Sequence, residues 1–270
     1  MSRWYPDERA LRRLPRPAPR RPAAAAAQRL GPRQRRAFAA RGCPAVGTTS
    51  LGVAASAGLP DGVAATRAEN LRLARVLRRL PVLVTADVEA GCADDPAAVA
   101  ELVVELAALG VVGVNLEDGR ADGTLDPAAL TAAKVAAVKA AAPEVFVNAR
   151  TDTWWLGLPD PLPETLRRAR AYEAAGADGI FVPGTPDADT VAALVAGIDA
   201  PLNVLYRPGG PTLDELHALG VARVSTGSLL FRAALGAAAD TLDAVRAGTT
   251  PPTRPPSYDE VQRWSAPSRP

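Results

Sequence analysis

Residues 111–150 read VVGVNLEDGRADGTLDPAALTAAKVAAVKAAAPEVFVNAR, and this stretch decides the fold. Val111 to Glu117 is a short β-branched apolar run. A polar turn follows, and Asp126-Pro127 then places an acceptor side chain ahead of a proline suited to the first helical position. Pro127 to Ala142 is Ala/Val-rich and helical in pattern, and Val145 to Arg150 is a second apolar run. Strand, helix and strand in this order form a βαβ unit with parallel strands.

The same alternation extends in both directions from Gly42 onward. Further strand candidates are Ala45 to Thr49, Val82 to Asp87, Gly179 to Pro183, Leu202 to Tyr206 and Ala222 to Thr226. Helix candidates are Ala64 to Arg79, Pro96 to Leu109, Leu162 to Ala175, Asp187 to Ala196, Leu213 to Leu219 and Leu229 to Arg246. Gly110, Gly176 and Gly220 follow three of these helices, where a left-handed turn into the next strand is needed. The strands read as apolar on both faces, the expectation for a parallel sheet covered by helices. The expected fold is a (β/α)8 TIM barrel. Seven strands are visible, so the first belongs before residue 42. The tract from Leu14 to Arg35 is broken by Pro and Arg, and the first strand is therefore expected to be degenerate or missing.

Composition divides the chain of 270 residues into three parts. Residues 1–35 are rich in Arg, Pro and Ala and read as a disordered or mistranslated leader. Residues 36–248 form the barrel domain, and 249–270 a Pro-rich C-terminal arm read as extended. The net charge of +2 conceals an acidic barrel, because twelve arginines precede Gly42. That tract lacks aromatic platforms, so nucleic acid is not an expected partner. Cys43 and Cys92 cannot make a disulfide framework, and a single histidine, His217, excludes paired-histidine metal chemistry. No run is apolar enough for a membrane span or signal peptide, so a cytoplasmic protein is expected.

In such barrels chemistry sits at the C-terminal strand ends. Those ends carry Thr49-Ser50-Leu51, Asp87-Val88-Glu89, Asn115-Leu116-Glu117-Asp118, Asn148-Ala149-Arg150-Thr151-Asp152 and Asn203. Asp87, Glu89 and Glu117, on adjacent ends, can converge on a hard cation, and Mg²⁺ suits oxygen ligands of this kind. Arg150 can clamp an anionic substrate. The competing reading is a structural ion-pair network.

Asp87-x-Glu89-x-Gly91, Asn115-Leu116-Glu117-Asp118, Asn148-Ala149-Arg150-Thr151-Asp152, Ala174 to Asp178 and Leu59-Pro60-Asp61-Gly62 together resemble the phosphoenolpyruvate mutase/isocitrate lyase superfamily. The resemblance covers about Arg36 to Gly248. It implies a Mg²⁺-dependent barrel enzyme acting on a 2-oxo acid or its enolate, and a homotetramer exchanging its final helix. It also implies metal ligation by Asp87, Glu89 and Glu117, with Asp61 as an outer carboxylate. Thr49, Ser50 and Leu51 would meet the substrate carboxylate, Arg150 would contact the substrate, and Asn203 would lie on the pocket wall.

The mobile loop of the lyases carries a Lys-Arg/Lys-Cys-Gly-His run, and the mutases have lysine and asparagine there. Here the corresponding loop is Gly119-Arg120-Ala121-Asp122-Gly123-Thr124-Leu125, read as a flexible polar segment. The expected activity is thus carbon–carbon bond cleavage in a 2-oxo-acid-related carboxylate, but not that of a standard isocitrate lyase. The alternatives are phosphonopyruvate mutase or hydrolase chemistry, and a catalytically impaired relative. Catalytic roles fall to Arg150, Glu117 and Asp61. His217 reads as a surface residue, Cys92 as a small packed one, and Trp154 and Trp155 as a pocket lid or subunit contact.

Overall fold

The computed structural model describes residues 24–28, 43, 45–78, 82–185 and 187–264. Eight strands close into a barrel. They are β1 (Ala24–Gln28), β2 (Ala45–Gly47), β3 (Leu83–Asp87), β4 (Val111–Glu117), β5 (Phe146–Arg150), β6 (Gly179–Val182), β7 (Leu202–Leu205) and β8 (Arg223–Ser225). Each pairs in parallel with its sequence neighbour, and β1 closes on β8. Helices α1 (Ser50–Ser56), α2 (Arg67–Leu77), α3 (Pro96–Ala108), α4 (Ala128–Ala141), α5 (Pro161–Ala174), α6 (Ala188–Gly197), α7 (Leu213–Ala218) and α8 (Leu229–Ala247) follow the strands from β2 on, and α9 (Tyr258–Arg263) ends the described chain.

The first strand is degenerate rather than missing. Ala24, Ala25 and Ala26 pair with Arg223, Val224 and Ser225, while Ala27 and Gln28 pair with Val46 and Gly47. A run of alanines has poor strand propensity and shows no period, so only its neighbours' backbone hydrogen bonds reveal it as a strand. The barrel accordingly begins ahead of the Arg36 boundary read from composition. The remainder of the leader lies outside the described residues.

The two faces of the sheet differ in chemistry, which corrects the reading of strands apolar on both sides. Val46, Val84, Val114, Leu116, Val147, Ile180, Val182, Val204 and Val224 belong to one buried apolar cluster with helix residues such as Leu102, Leu106, Val135 and Leu194. These strand residues face the helices, so their sequence neighbours face the barrel interior. The interior row runs Glu117, Arg150, Phe181, Asn203 and Arg223 in successive register. A lower row holds Asn115 and Asn148, whose side chains bond at 2.8 Å. Apolar burial against the helices thus stabilises the sheet, and the interior is left to polar groups.

Local signals mostly hold. Gly110, Gly176 and Gly220 all take positive φ, at 89°, 97° and 96°. Asp95 caps α3 by accepting from Ala97 N at 3.1 Å. Asp126 does not cap α4, because Pro127 occupies that position and the Asp126 carboxylate turns to Lys134 and Arg120 instead. The helix expected over 64–79 is α2, α1 ahead of the Leu59-to-Gly62 turn is an additional helix that the sequence pattern did not predict, and the arm read as extended contains α9, closed by a Ser257/Glu260 capping box.

Lys134 is fully buried in α4 and donates to Ala90 O at 2.9 Å and Asp126 Oδ2 at 3.3 Å, tying the helix to the loop after β3. Lys134→Met leaves Asp126 Oδ2 without its donor while Arg120 still holds Oδ1, and urea denaturation should show a loss of about 2 kcal/mol.

Candidate active site

A cavity of about 440 Å³ opens at the C-terminal ends of the strands. Of the residues singled out from sequence, Thr49, Ser50, Leu51, Asp61, Asp87, Glu117 and Arg150 line it. Glu89 and Asn203 do not. The Glu89 backbone is left-handed, at φ 55°, and its carboxylate accepts from Ala64 N at 3.0 Å and Thr66 Oγ1 at 2.7 Å. Glu89 therefore anchors the 64–66 loop behind the cavity wall. Asn203 is 1% exposed and lies two residues below Leu205, which does reach the cavity.

Arg150 is the hub of the site. Its Nε and Nη2 donate to the two carboxylate oxygens of Asp152 at 2.6 and 3.0 Å. Its Nη1 lies 2.6 Å from Glu117 Oε2, an ion pair whose angles do not make a hydrogen bond. The guanidinium also sits over the Phe181 ring, 5.7 Å from its centroid. A planar fork held on both sides presents a fixed positive charge to the cavity. Asp152, at the end of the Asn148-to-Asp152 run, holds Arg150, a role that spacing alone does not reveal.

A second layer holds the hub. Asp152 N donates to Asp118 Oδ1 at 2.9 Å, and Asp118 Oδ2 accepts from Tyr172 Oη at 2.6 Å and Arg168 Nη1 at 3.0 Å. Arg168 Nη1 also donates to Asp126 O at 2.8 Å. Helix α5, which carries Arg168 and Tyr172, thereby braces both the ends of β4 and β5 and the base of the 119–125 loop. That loop is a closed turn rather than a free polar segment. Gly119 bridges Leu125, Arg120 N donates to Thr124 O at 2.9 Å, and the Arg120 side chain bonds Asp126. A Cβ at Gly119 would collide with the Asp152 carboxylate that holds Arg150.

Arg120, Arg207, Arg232 and Trp155 also line the cavity. Arg207 and Arg232 lie after the expected strand ends, beyond the positions where the sequence reading stopped. The cavity therefore has an acidic floor and arginines around it. Trp154 packs against the core instead.

Burial raises the Asp87 carboxyl from its ordinary 3.8 to about 6, against the pull of Arg150 and of the backbone N–H groups of Glu89 and Ser50. Burial likewise raises Glu117 well above the usual carboxylate range, opposed by Arg150 and reinforced by Asp87. Asp152 is raised by burial too, with Arg150 opposing. One guanidinium is thus insufficient for the carboxylates around it. Among the described residues Asp87 accepts two long bonds, from Ser50 N and Glu89 N at 3.4 Å each, and Glu117 Oε2 is buried without a hydrogen bond. Such under-satisfied oxygens suit a hard divalent cation. Among the described residues no three acidic, His or Cys side chains group closely enough to hold a metal by themselves, so water would complete its shell, as Mg²⁺ prefers.

In metal-free protein the ionised Asp87 opposes folding. Its raised value means that stability present below pH 4 is lost as pH rises through about 6. Asp87→Asn removes that loss, so urea denaturation in EDTA at pH 8 should show a gain of up to about 3 kcal/mol over wild type, closing below pH 4.

The family model for phosphoenolpyruvate phosphomutase matches residues 32–246. The chain is 47% identical over 226 residues to the uncharacterized protein MT2054 of Mycobacterium tuberculosis strain CDC 1551, covering 84% of this chain and 85% of that one. It is 36% identical over 201 residues to the oxaloacetate decarboxylase of Ectopseudomonas mendocina, covering 68% and 66% respectively. The crystal structure of a phosphonopyruvate hydrolase, solved with oxalate and Mg²⁺, has a TM-score of 0.77 at 24% identity and covers 90% of each chain, a likeness of fold. With a family model that matches most of its length and relatives of this similarity, the chain belongs to the phosphoenolpyruvate mutase/isocitrate lyase superfamily, whose enzymes cleave or transfer C–C and P–C bonds of oxo acids.

Proposed function

We propose that the chain is a divalent-cation-dependent lyase that breaks a carbon–carbon bond in a 2-oxo diacid, most simply by decarboxylating a 3-carboxy-2-oxo acid such as oxaloacetate. One observation carries this reading: among the described residues the cavity lining contains no Lys, His or Cys, and two of its carboxylates, Glu117 and Asp152, are committed to Arg150. Cleaving a hydroxy acid such as isocitrate requires a base to take the hydroxyl proton and an acid to protonate the carbon left behind. Loss of CO₂ requires neither. The C3–C4 electron pair moves toward the 2-oxo oxygen, CO₂ leaves unprotonated, and C3 later takes one proton from solvent.

Thr49, Ser50 and Leu51 line the cavity where hydroxyl and backbone N–H groups can receive the C1 carboxylate. Arg150, locked by Asp152, keeps its charge beside the substrate without reorganising. Asp87 and Glu117 would hold the cation, with Glu89 and Asp61 acting from outside its direct shell. When bound, a divalent cation supplies positive charge for the oxygen that becomes negative as the bond breaks. Exposed Leu235, Leu242 and Val245 on α8 support an assembly in which this helix meets another copy.

A second reading is favoured by the arginines. Arg120, Arg150, Arg207 and Arg232 around one cavity could accommodate a phosphonate, as P–C bond chemistry requires.

With Mg²⁺ and oxaloacetate, pyruvate should form well above the rate of Mg²⁺ alone and stop on adding EDTA. Asp87→Ala and Arg150→Lys should each lower kcat/KM by about 10²–10³-fold. Activity should rise with pH through about 6, as Asp87 becomes ionised and able to bind the cation. Phosphate release from phosphonopyruvate instead would favour the second reading. Oxalate binding without turnover of either substrate would defeat both.

A further inference from the structure

Below the cavity the barrel interior contains a positive charge that, among the described residues, no carboxylate contacts; Asp87 acts on it only from beyond ion-pair distance. Arg223 ends the interior row of Glu117, Arg150, Phe181 and Asn203. Its guanidinium crosses the barrel to β3, where Nη2 donates to Thr85 Oγ1 at 3.5 Å. No shorter hydrogen bond supports it, its Nε is buried and unpartnered, and among the described residues no carboxylate comes within ion-pair distance. Arg150 and Arg168, by contrast, each gather two carboxylates. Asn203, beside Arg223 in register and 1% exposed, has neither its Oδ1 nor its Nδ2 paired.

Folded interiors rarely leave adjacent polar side chains unpaired without a bound water or ion to complete them. Arg223 keeps partial exposure inside a closed barrel. The unmet groups are dominated by donors, Arg223 Nε–H and the Asn203 amide N–H pair. Burial lowers Arg223 to about 10, with Asp87 opposing from a distance, so it is charged at neutral pH. Water could satisfy the donors but would leave the charge. An anion does both.

We propose that Arg223 and Asn203 form an internal site for a small monovalent inorganic anion, one residue layer beneath the candidate active site. Leu205 and Ser225, two positions further along β7 and β8, line the cavity and separate it from this layer, so the occupant is of halide size rather than a substrate. This site does not rest on the reaction proposed above, although Asp87 lies within electrostatic reach of Arg223.

The test uses the full chain in EDTA, with sodium bromide compared against sodium gluconate at equal ionic strength. Bromide should raise the thermal midpoint of wild type saturably, by roughly 2–4 °C, as one bound ion does for a chain of this size. Asn203→Leu and Arg223→Met should each abolish that response, and either variant suffices if the other does not fold. Crystals soaked in bromide should show an anomalous peak within hydrogen-bonding distance of Arg223. Equal midpoints in the two salts, an undiminished response in the variants, or a water with no anomalous signal at that place would each overturn the proposal.

Discussion

Charge has to balance in a cavity from which protein has displaced most of the water, and the arrangement around Arg150 follows from that requirement. A buried guanidinium needs carboxylates, and Asp152 and Glu117 supply them at 2.6 Å. Bringing Asp87 to the same place overshoots, so burial leaves the acids reluctant to ionise. The site is therefore poised to accept added positive charge. That deficit costs stability, and strained or under-satisfied groups of this kind are characteristic of functional rather than structural clusters.

The rest of the fold keeps this imbalance in place. The apolar face of each strand is buried against helices, which leaves the inward face free to carry polar side chains. Asp118, fully buried between Arg168 and Tyr172, is the link between that scaffold and the hub, because it orients Asp152 from behind. The 119–125 turn is braced from the same place through Asp126. Arg120 on this turn has its side chain committed to Asp126 and Asp94.

Much of this was legible in the sequence because strand ends and carboxylates coincide. Asp87, Glu117 and Arg150 terminate runs whose apolar, β-branched character is strong, and parallel pairing of β3, β4 and β5 then brings them together. Glu89 was harder to place. Reading Asp87-x-Glu89 as a continuing strand puts both side chains on one face, whereas the left-handed turn at Glu89 sends its carboxylate behind the wall. Asn203 faces inward as alternation requires, but one layer too low. Strand β1 escaped notice because alanine carries no pattern and its place is set by β2 and β8. Asp126 looked like a helix cap locally, and only tertiary structure shows Lys134 arriving to claim it. Arg207 and Arg232 reach the cavity from beyond their strands, where no periodicity points.

The central claim is that Asp87 and Glu117 share a divalent cation facing the cavity. Diffraction from crystals grown with Mn²⁺ and oxalate tests it directly, since manganese scatters anomalously and substitutes for Mg²⁺ at oxygen sites. The account predicts one strong anomalous peak between the Asp87 and Glu117 carboxylates, with oxalate and water completing its shell. A cavity without manganese, or manganese bound only elsewhere on the molecule, would contradict it.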